Sequence, residues 1–112
     1  KYASLLVDCL FLQGKNGLRV NPIYVDDAAV LFQMALKLSG THVINAAGPD
    51  ILTLRKIGTI IGRAIGESPV FESKAGEPVD YIGETASAMK KLCAASTSFE
   101  EGVALTLGMG NK

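Results

Sequence analysis

The chain has 112 residues, which is enough for one domain but not for two. Eleven basic residues balance eleven acidic ones, and no Lys/Arg cluster alternates with aromatic side chains, so binding to nucleic acid is not expected. Hydrophobic residues make up 48%, and the mean hydropathy is +0.29. Because small domains expose much of their surface, this value predicts either a rich core or apolar surface meant for an absent partner. We favour the absent partner.

The sequence shows no signal-peptide pattern and no segment that could span a membrane. Its two most apolar runs, residues 5–12 and 57–65, each contain a charged residue and are too short to cross a bilayer. Cys9 and Cys93 lie far apart without CxxC spacing, which favours two free thiols in a reducing compartment over a disulfide. We therefore expect a cytoplasmic protein that does not bind membranes.

In the first half of the chain, the sequence pattern predicts two helices with β-rich segments around them. Residues 2–13 are apolar nearly all round, which predicts a helix that is buried on more than one side and stopped by Gly14. A second helix is expected over residues 28–38, ended by Ser39 and Gly40. The β-rich segments are residues 18–20, 23–25 and 41–47.

The second half predicts three more helices, two of them with clear caps. Thr53 is placed to cap a helix that runs to about residue 65 and closes at Gly66. Ser98 and Glu101 form a capping box at the start of the last helix, which runs to about residue 107. Residues 69–73 are expected to form a short strand and residues 84–93 a helix. The alternation of strands and helices predicts an α/β fold with few short strands and about five helices.

Three glycines recur every four residues in the helix after Thr53: Gly58, Gly62 and Gly66. The first two leave one side of that helix without side chains, so we expect close packing against a strand or another helix.

The motifs that bind dinucleotides are absent from the sequence. Gly14 and Gly17 follow a predicted helix rather than a strand, and the third glycine of the fingerprint is missing. No Tyr-x-x-x-Lys pair occurs. His42 is the single histidine, and a structural role is favoured over a Cys–His nucleophile pair or a metal site. We therefore predict no catalytic, cofactor-binding or metal-binding residue within the chain.

Two kinds of charged residue surround the β-rich residues 23–25. Asp26 and Asp27 could bind a metal or act as a base, but at a strand–helix junction we favour one as a helix cap and the other as a hold on a neighbouring loop. Arg19 lies near the carboxyl end of a predicted strand, where a cation can meet a phosphate or carboxylate of a ligand. An exposed salt bridge is an equally good interpretation of Arg19.

Residues 19–29, Arg-Val-Asn-Pro-Ile-Tyr-Val-Asp-Asp-Ala-Ala, resemble a strand and helix of the extended short-chain dehydrogenase/reductase family, the NAD-dependent epimerases and dehydratases. Residues 43–48, 53–66 and 98–103 are similar to the following strand, the helix after it and the closing helix of that family. The order and spacing cover nearly all of the chain, and they match only the carboxyl-terminal part of the family.

The resemblance implies that residues 1–112 are the substrate-binding lobe of such an enzyme, without the Rossmann domain that carries the cofactor. It implies NAD(P) in the full-length parent, which would transfer a hydride to and from a small-molecule substrate. The fragment itself would be inactive, bind no cofactor and lack the domain against which residues 2–13 pack.

By resemblance, the substrate-binding positions are Arg19, Asn21 and Tyr24, and Asp27 matches a family residue that holds the helix start. Many members that act on sugar nucleotides carry an arginine where this chain has Val20. A shift of one residue turns a strand side chain to the other face, so a sugar nucleotide is expected only if a bulge realigns Arg19.

The alternative is a non-enzymatic α/β binding or interaction module, or a regulator derived from this family. On either interpretation the apolar side chains of Leu5, Leu6, Leu10 and Phe11 are expected to drive self-association.

Overall fold

The computed structural model describes residues 10–108. Within this range, short strands alternate with helices, which confirms the predicted α/β class. The elements are β1 Leu10–Gln13, β2 Arg19–Val20, α1 Val25–Ala35, β3 Leu52–Thr53, α2 Leu54–Ile65, β4 Phe71–Lys74, α3 Ala86–Lys91 and α4 Phe99–Thr106. None of the helices in the described range is long and apolar enough to cross a membrane.

The chain forms two compact units, and each unit is assembled from two separate stretches of sequence. In the described range, the first unit contains residues 10–20 and 52–81. The second unit contains residues 21–51 and 82–108. The backbone therefore alternates between the units rather than completing one before it starts the other.

The first unit is built from two small ladders and one helix. Strand β1 pairs in parallel with β4, and β2 pairs antiparallel with β3. The parallel pair needs a long connection, and helix α2 lies within it in the sequence. Leu12 is only 2% exposed, and Ile60 of α2 is also buried, so these two side chains form the apolar centre of the unit.

Helix α2 has the caps that the sequence predicts. The hydroxyl oxygen of Thr53 accepts a hydrogen bond from the Lys56 amide at 3.1 Å. Gly66 ends the helix with φ of +75°, a left-handed conformation that glycine adopts without steric cost. A side-chain carbon at Gly58 would lie 3.0 Å from the Phe71 ring, and one at Gly62 would lie 2.8 Å from Pro69. Close packing at the first two glycines is confirmed.

The second unit contains α1, α3 and α4 with long connections between them. Leu31 of α1 and Ala88 of α3 are buried and form its apolar centre. Helix α4 begins where the capping box predicts, because the Ser98 hydroxyl oxygen accepts a hydrogen bond from the Glu101 amide at 3.1 Å. Helix α3 is shorter than the expected range of residues 84–93.

The prediction of a helix over residues 2–13 is wrong where it can be compared with the structure. Leu10–Gln13 is strand β1, while residues 2–9 lie outside the described residues. A run that is apolar on every side has no helical period, so periodicity cannot separate a buried helix from a buried strand. The ladder to β4 satisfies the backbone of this segment.

Two β-rich segments of the second unit form no strand in the described part of the chain. Residues 23–25 lead directly into α1, which starts at Val25 and ends at Ala35, three residues earlier at each end than predicted. Residues 41–47 have neither helix, turn nor ladder. A strand requires a partner as well as β-branched residues, and the described chain supplies none at these positions.

Candidate functional site

Arg19, the first predicted substrate-binding residue, lies on β2 in the first unit and is paired with Asp80. Its Nε and Nη2 atoms donate to Asp80 Oδ2 at 3.1 and 3.0 Å, and its backbone amide donates to Asp80 Oδ1 at 2.8 Å. These hydrogen bonds hold the pKa of Asp80 below its usual value, the backbone bond most strongly. Of the two interpretations of Arg19, the structure shows the exposed salt bridge.

An open groove of about 350 Å³ runs beside this pair in the first unit. Its walls are the turn after β1, Thr53, Pro78 and the Arg19–Asp80 pair. Two glycines with positive φ, Gly14 at +70° and Gly17 at +78°, form the turn. A phosphate or carboxylate entering this groove would compete with Asp80 for the Arg19 guanidinium.

Asn21, the second predicted residue, begins the second unit and is 8% exposed. Its Nδ2 donates to the Gly83 carbonyl at 2.7 Å, and its Oδ1 accepts from the Gly83 amide at 2.8 Å. Its own carbonyl accepts from the Gly48 amide at 2.9 Å. The Asn21 side chain therefore ties two distant loops of the second unit together, and both ends of its amide are engaged by protein.

Tyr24, the third predicted residue, is the last residue before α1 and is half-buried. Its ring lies on Gly102 of α4, where a side-chain carbon would approach the ring to 3.2 Å. Partial burial and then the neighbouring Asp26 carboxylate raise the pKa of the Tyr24 phenol. A raised pKa favours the protonated phenol, which can donate a hydrogen bond.

The two carboxylates of α1 do not cap the helix, so the expected cap at Asp26 or Asp27 is wrong. The cap position is Tyr24, which makes no side-chain cap bond. Both carboxylates lie in the first helical turn, where their charge complements the positive end of the helix dipole. The expected hold on a neighbouring loop is confirmed, because Asp27 accepts from the amide and hydroxyl of Thr97 at 2.9 and 3.1 Å.

A second carboxylate holds the same segment of the second unit. Asp50 Oδ2 accepts from the Phe99 amide at 2.9 Å, at the first residue of α4. Asp27 and Asp50 thus fix three consecutive residues, 97–99, together with the Ser98 cap. The two aspartates come from opposite ends of the 21–51 stretch, so they attach α4 to it at two points.

His42 is exposed, and each of its ring nitrogens has a polar neighbour within residues 10–108. Its Nε2 lies 2.7 Å from the Ser39 carbonyl oxygen, and its Nδ1 lies 3.5 Å from Lys91 Nζ. Cys93 is half-buried and lines a separate apolar cavity of about 310 Å³. Among residues 10–108, no group of three or more His, Cys, Asp or Glu side chains is placed to hold a metal ion.

Sequence analysis missed the residues that complete these contacts: Asp80, Gly83, Asp50 and Thr97. The partners of Arg19 and Asn21 lie 61 and 62 positions away, and the partner of Asp27 lies 70 positions away. No local spacing signals such pairs. Gly83 is one available signal. A glycine that is not needed for a turn often marks a position where another part of the protein approaches the backbone closely.

At the level of sequence, neither family models nor curated proteins match the chain. Thirteen solved chains match it in structure. UDP-glucuronic acid 4-epimerase from Bacillus cereus, in complex with UDP-glucuronic acid and NAD, is 20% identical with a TM-score of 0.72. UDP-glucose 4-epimerase from Thermotoga maritima, with UDP-glucose, is 22% identical with a TM-score of 0.73. MoeE5, in complex with UDP-glucuronic acid and NAD, is 15% identical with a TM-score of 0.69.

These matches cover 90%, 90% and 89% of this chain but only 34%, 34% and 36% of the three solved chains. The chain thus spans about a third of the length of the proteins it matches. The fold is that of a partial carboxyl-terminal lobe of extended short-chain dehydrogenase/reductase epimerases, as the resemblance in sequence predicts. At these identities the likeness concerns the fold.

Proposed function

We propose that residues 1–112 form the substrate-side region of an NAD(P)-dependent epimerase, dehydratase or reductase whose substrate is a nucleotide sugar. The observation that carries the proposal is the match of 90% of the chain to about a third of UDP-sugar 4-epimerases. The parent enzyme would move a hydride between the substrate and the nicotinamide. The cofactor-binding Rossmann domain would precede these residues, in the same cytoplasmic protein.

Arg19 is the residue we assign to the diphosphate of the substrate. The β2–β3 register runs from Arg19 to Val20 without a bulge, so the assignment rests on the exposed guanidinium beside the groove and not on the family position at Val20. Its guanidinium is exposed, and it already holds a carboxylate, Asp80, in the geometry that an oxyanion would take. In this proposal Asp80 keeps the Arg19 side chain extended in the free protein and yields to the ligand. The assignment therefore makes Asp80 a competitor of the substrate.

Asn21 and Tyr24 are assigned within the second unit, each in a different way. The Tyr24 phenol keeps its proton at neutral pH and would donate a hydrogen bond to a substrate oxygen. Both ends of the Asn21 amide are hydrogen-bonded to Gly83. Asn21 would therefore position the loop at Gly83 next to the substrate and would not bond to the substrate directly.

The fragment by itself is expected to be inactive and to bind no cofactor. The sequence contains neither the glycine fingerprint nor the Tyr-x-x-x-Lys pair. Calorimetry of the 112-residue chain with NAD should give no saturable binding. Micromolar affinity for NAD would contradict the proposal that the cofactor is bound outside these residues.

The decisive experiment starts from the coding sequence upstream of Lys1. A glycine fingerprint after a strand, together with Tyr-x-x-x-Lys, would support the enzyme, and the longer product should interconvert UDP-glucuronic acid or UDP-glucose with its 4-epimer. A start codon near Lys1 would instead favour the non-enzymatic module or the regulator. Product analysis by chromatography, with NADH absorbance as a second readout, separates an epimerase from a reductase.

The roles of Arg19 and Asp80 are tested in that longer enzyme with a matched pair of variants. Arg19→Ala should raise KM for the UDP-sugar at least about tenfold, because a charge-assisted hydrogen bond is lost. Asp80→Asn should leave KM unchanged or lower it, because the competing carboxylate is removed. An equal rise of KM in both variants would show that the pair is only structural.

Exposed apolar side chains at the start of the described range fit the expected self-association of the fragment. Phe11 is 61% exposed and Leu10 is also exposed on β1. We expect the isolated chain to associate through this surface and the longer protein to cover it. Light scattering that shows a clean monomer at high concentration of the fragment would count against a missing partner.

A further inference from the structure

We propose that Arg55, in the first turn of α2, is a positioning residue for substrate binding, because it holds the turn of residues 14–17 in place. This turn is a wall of the open groove beside Arg19. Arg55 does not line the groove itself, so it acts through the turn and does not touch the ligand. The role rests on the proposed function, which assigns Arg19 beside this groove to the diphosphate of a nucleotide sugar. Every residue involved lies in the first unit.

Arg55 bonds to the two middle residues of the turn. Its Nε donates to the Lys15 carbonyl oxygen at 3.0 Å, and its backbone amide donates to the Asn16 carbonyl oxygen at 3.1 Å. The ends of the turn are held separately, because the Gly14 amide donates to β4 and the Gly17 amide donates to β1. A charged donor makes a stronger hydrogen bond than a neutral amide. The guanidinium is therefore the only charged hold on the middle of the turn within residues 10–108.

The Phe71 ring keeps the guanidinium in position. Arg55 Cζ lies 4.5 Å from the centroid of this ring, which is within the range of a cation–π interaction. The ring also lies on α2 at Gly58, where a side-chain carbon would approach it to 3.0 Å. Gly58 is three residues after Arg55, so the two positions share one face of the helix. The contact with the ring restricts the rotamers of a long side chain, which lowers the entropy cost of its bond to the turn.

The location of Arg55 is unfavourable for a cation unless its contacts offset the cost. The first turn of α2 contains Arg55 and Lys56 and no acidic residue, although the positive end of the helix dipole disfavours cations there. The Lys56 side chain is exposed and makes no hydrogen bond, ion pair or ring contact within residues 10–108. A residue that breaks a local rule of helix design is typical of functional sites, and of the two cations only Arg55 contacts the groove wall. Lys56 is therefore a matched control for its charge.

Steady-state kinetics of Arg55→Met and Lys56→Met in the longer enzyme test the role. Each change removes one positive charge from the same helical turn. Arg55→Met should raise KM for the UDP-sugar about three- to tenfold with kcat within about twofold, because a loosened groove wall weakens binding and leaves the chemical step intact. Lys56→Met should leave both constants unchanged. An equal rise of KM in the two variants would reduce the effect to charge, and a loss of kcat at constant KM would also overturn the role.

Conservative variants test whether the ring acts through the guanidinium. Phe71→Tyr keeps the ring and should keep KM within about twofold, whereas Phe71→Leu should raise KM in the same direction as Arg55→Met. Arg55→Lys keeps the charge without the planar Nε donor, so it should restore less than half of the lost affinity. The double variant Arg55→Met/Phe71→Leu should raise KM no further than Arg55→Met alone. Independent, multiplying effects would disprove the link between the ring and the turn.

Amide hydrogen exchange in the 112-residue chain follows the turn without any activity. The Gly17 amide, which bonds within the turn, should exchange about tenfold faster in Arg55→Met than in Lys56→Met. The amides of α4 in the second unit should exchange alike in both variants and so control for global unfolding. An unchanged rate at Gly17 would show that Arg55 does not hold the turn.

The outcomes separate this role from the proposed function. A wild-type longer protein that neither binds nor converts UDP-sugars would contradict the proposed function and the role that rests on it. An active enzyme in which Arg55→Met loosens the turn but leaves KM unchanged would leave the function standing and overturn the role alone. A loosened turn together with a raised KM, both absent in Lys56→Met, would support the two together.

Discussion

Each of the two units is held together internally by a different kind of hydrogen bond. In the first unit the distant stretches meet through backbone ladders, β1 with β4 and β2 with β3, to which exposed side-chain bonds such as Arg19 with Asp80 are added. In the second unit they meet through polar side chains that bond to backbone or to another side chain, as Asn21 does with Gly83 and Asp27 with Thr97. Ladders tolerate many side chains, whereas a side-chain clamp depends on one residue. The second unit should therefore be more sensitive to single substitutions.

The largest effect is expected from Gly48→Ala in the second unit. A side-chain carbon at Gly48 would overlap the carbonyl oxygen of Pro22, which is backbone and cannot move aside cheaply. We expect a loss of more than about 4 kcal/mol in the free energy of unfolding, measured by urea denaturation. Gly40→Ala is the control, because a carbon there meets nothing within 4 Å and adds only the strain of a positive φ, about 1–2 kcal/mol. Equal losses would refute the steric argument.

The next effect tests the amide clamp itself. Asn21→Leu fills a similar volume but leaves the amide and carbonyl of Gly83 without their partner, at a cost of about 2–4 kcal/mol. Asn45→Leu is the matched control, because Asn45 is exposed and its side chain has no hydrogen bond within residues 10–108. If denaturation gives the two variants the same stability, the clamp contributes nothing and the comparison of the units fails.

A smaller effect separates the adjacent carboxylates of α1. Asp27→Ala removes both bonds to Thr97 and should lower the free energy of unfolding by about 1–2 kcal/mol. Asp26→Ala, one position earlier on the exposed side, should cost only about 0.3–0.5 kcal/mol, from the lost interaction with the helix dipole. A larger loss from Asp26→Ala than from Asp27→Ala would reverse the roles assigned to them.

The smallest effect is expected in the first unit, at the exposed pair of Arg19 and Asp80. The pKa of Asp80 is lowered in the folded chain, so its stabilising contribution is present above the unfolded pKa of the carboxyl group and is lost as pH falls through the lowered value. The difference in melting temperature between the wild type and Asp80→Asn should therefore be present at neutral pH and vanish in strong acid. Carboxyl NMR should show the Asp80 pKa moving only part of the way toward its usual value in Arg19→Ala, because the backbone amide of residue 19, which lowers it most, remains.

Local features of this fold could be predicted from the sequence, and distant ones could not. The Thr53 cap bonds three residues away, the Ser98 cap does the same, and Gly66 ends its helix on its own. Each of these depends on chemistry within one helical turn. The ladder that turns residues 10–13 into a strand reaches to residues 71–74, and no periodicity within residues 10–13 reveals it.

The same division applies to the candidate site. The sequence singles out Arg19, Asn21 and Tyr24. It gives no sign that the Arg19 guanidinium is hydrogen-bonded to Asp80, or that the Asn21 amide is hydrogen-bonded to Gly83. Helix α2 shows a related limit. Its apolar residues Ile61 and Ile65 are exposed, whereas the buried face is made by Gly58 and Gly62 with Ile60. Hydropathy identifies which residues are apolar, but it does not show which face of a helix is packed against its neighbours.

The interleaving of the two units has a consequence for how this region can change in evolution and in the laboratory. Residues 21–51 and 52–81 belong to different units, so no single cut along the sequence releases either unit whole. A fragment ending at residue 51 would hold one half of each unit, with neither the ladders to β3 and β4 nor the hold on α4. Recombination between relatives should therefore exchange this region as a block, with crossover points at its outer ends rather than at the passages between units.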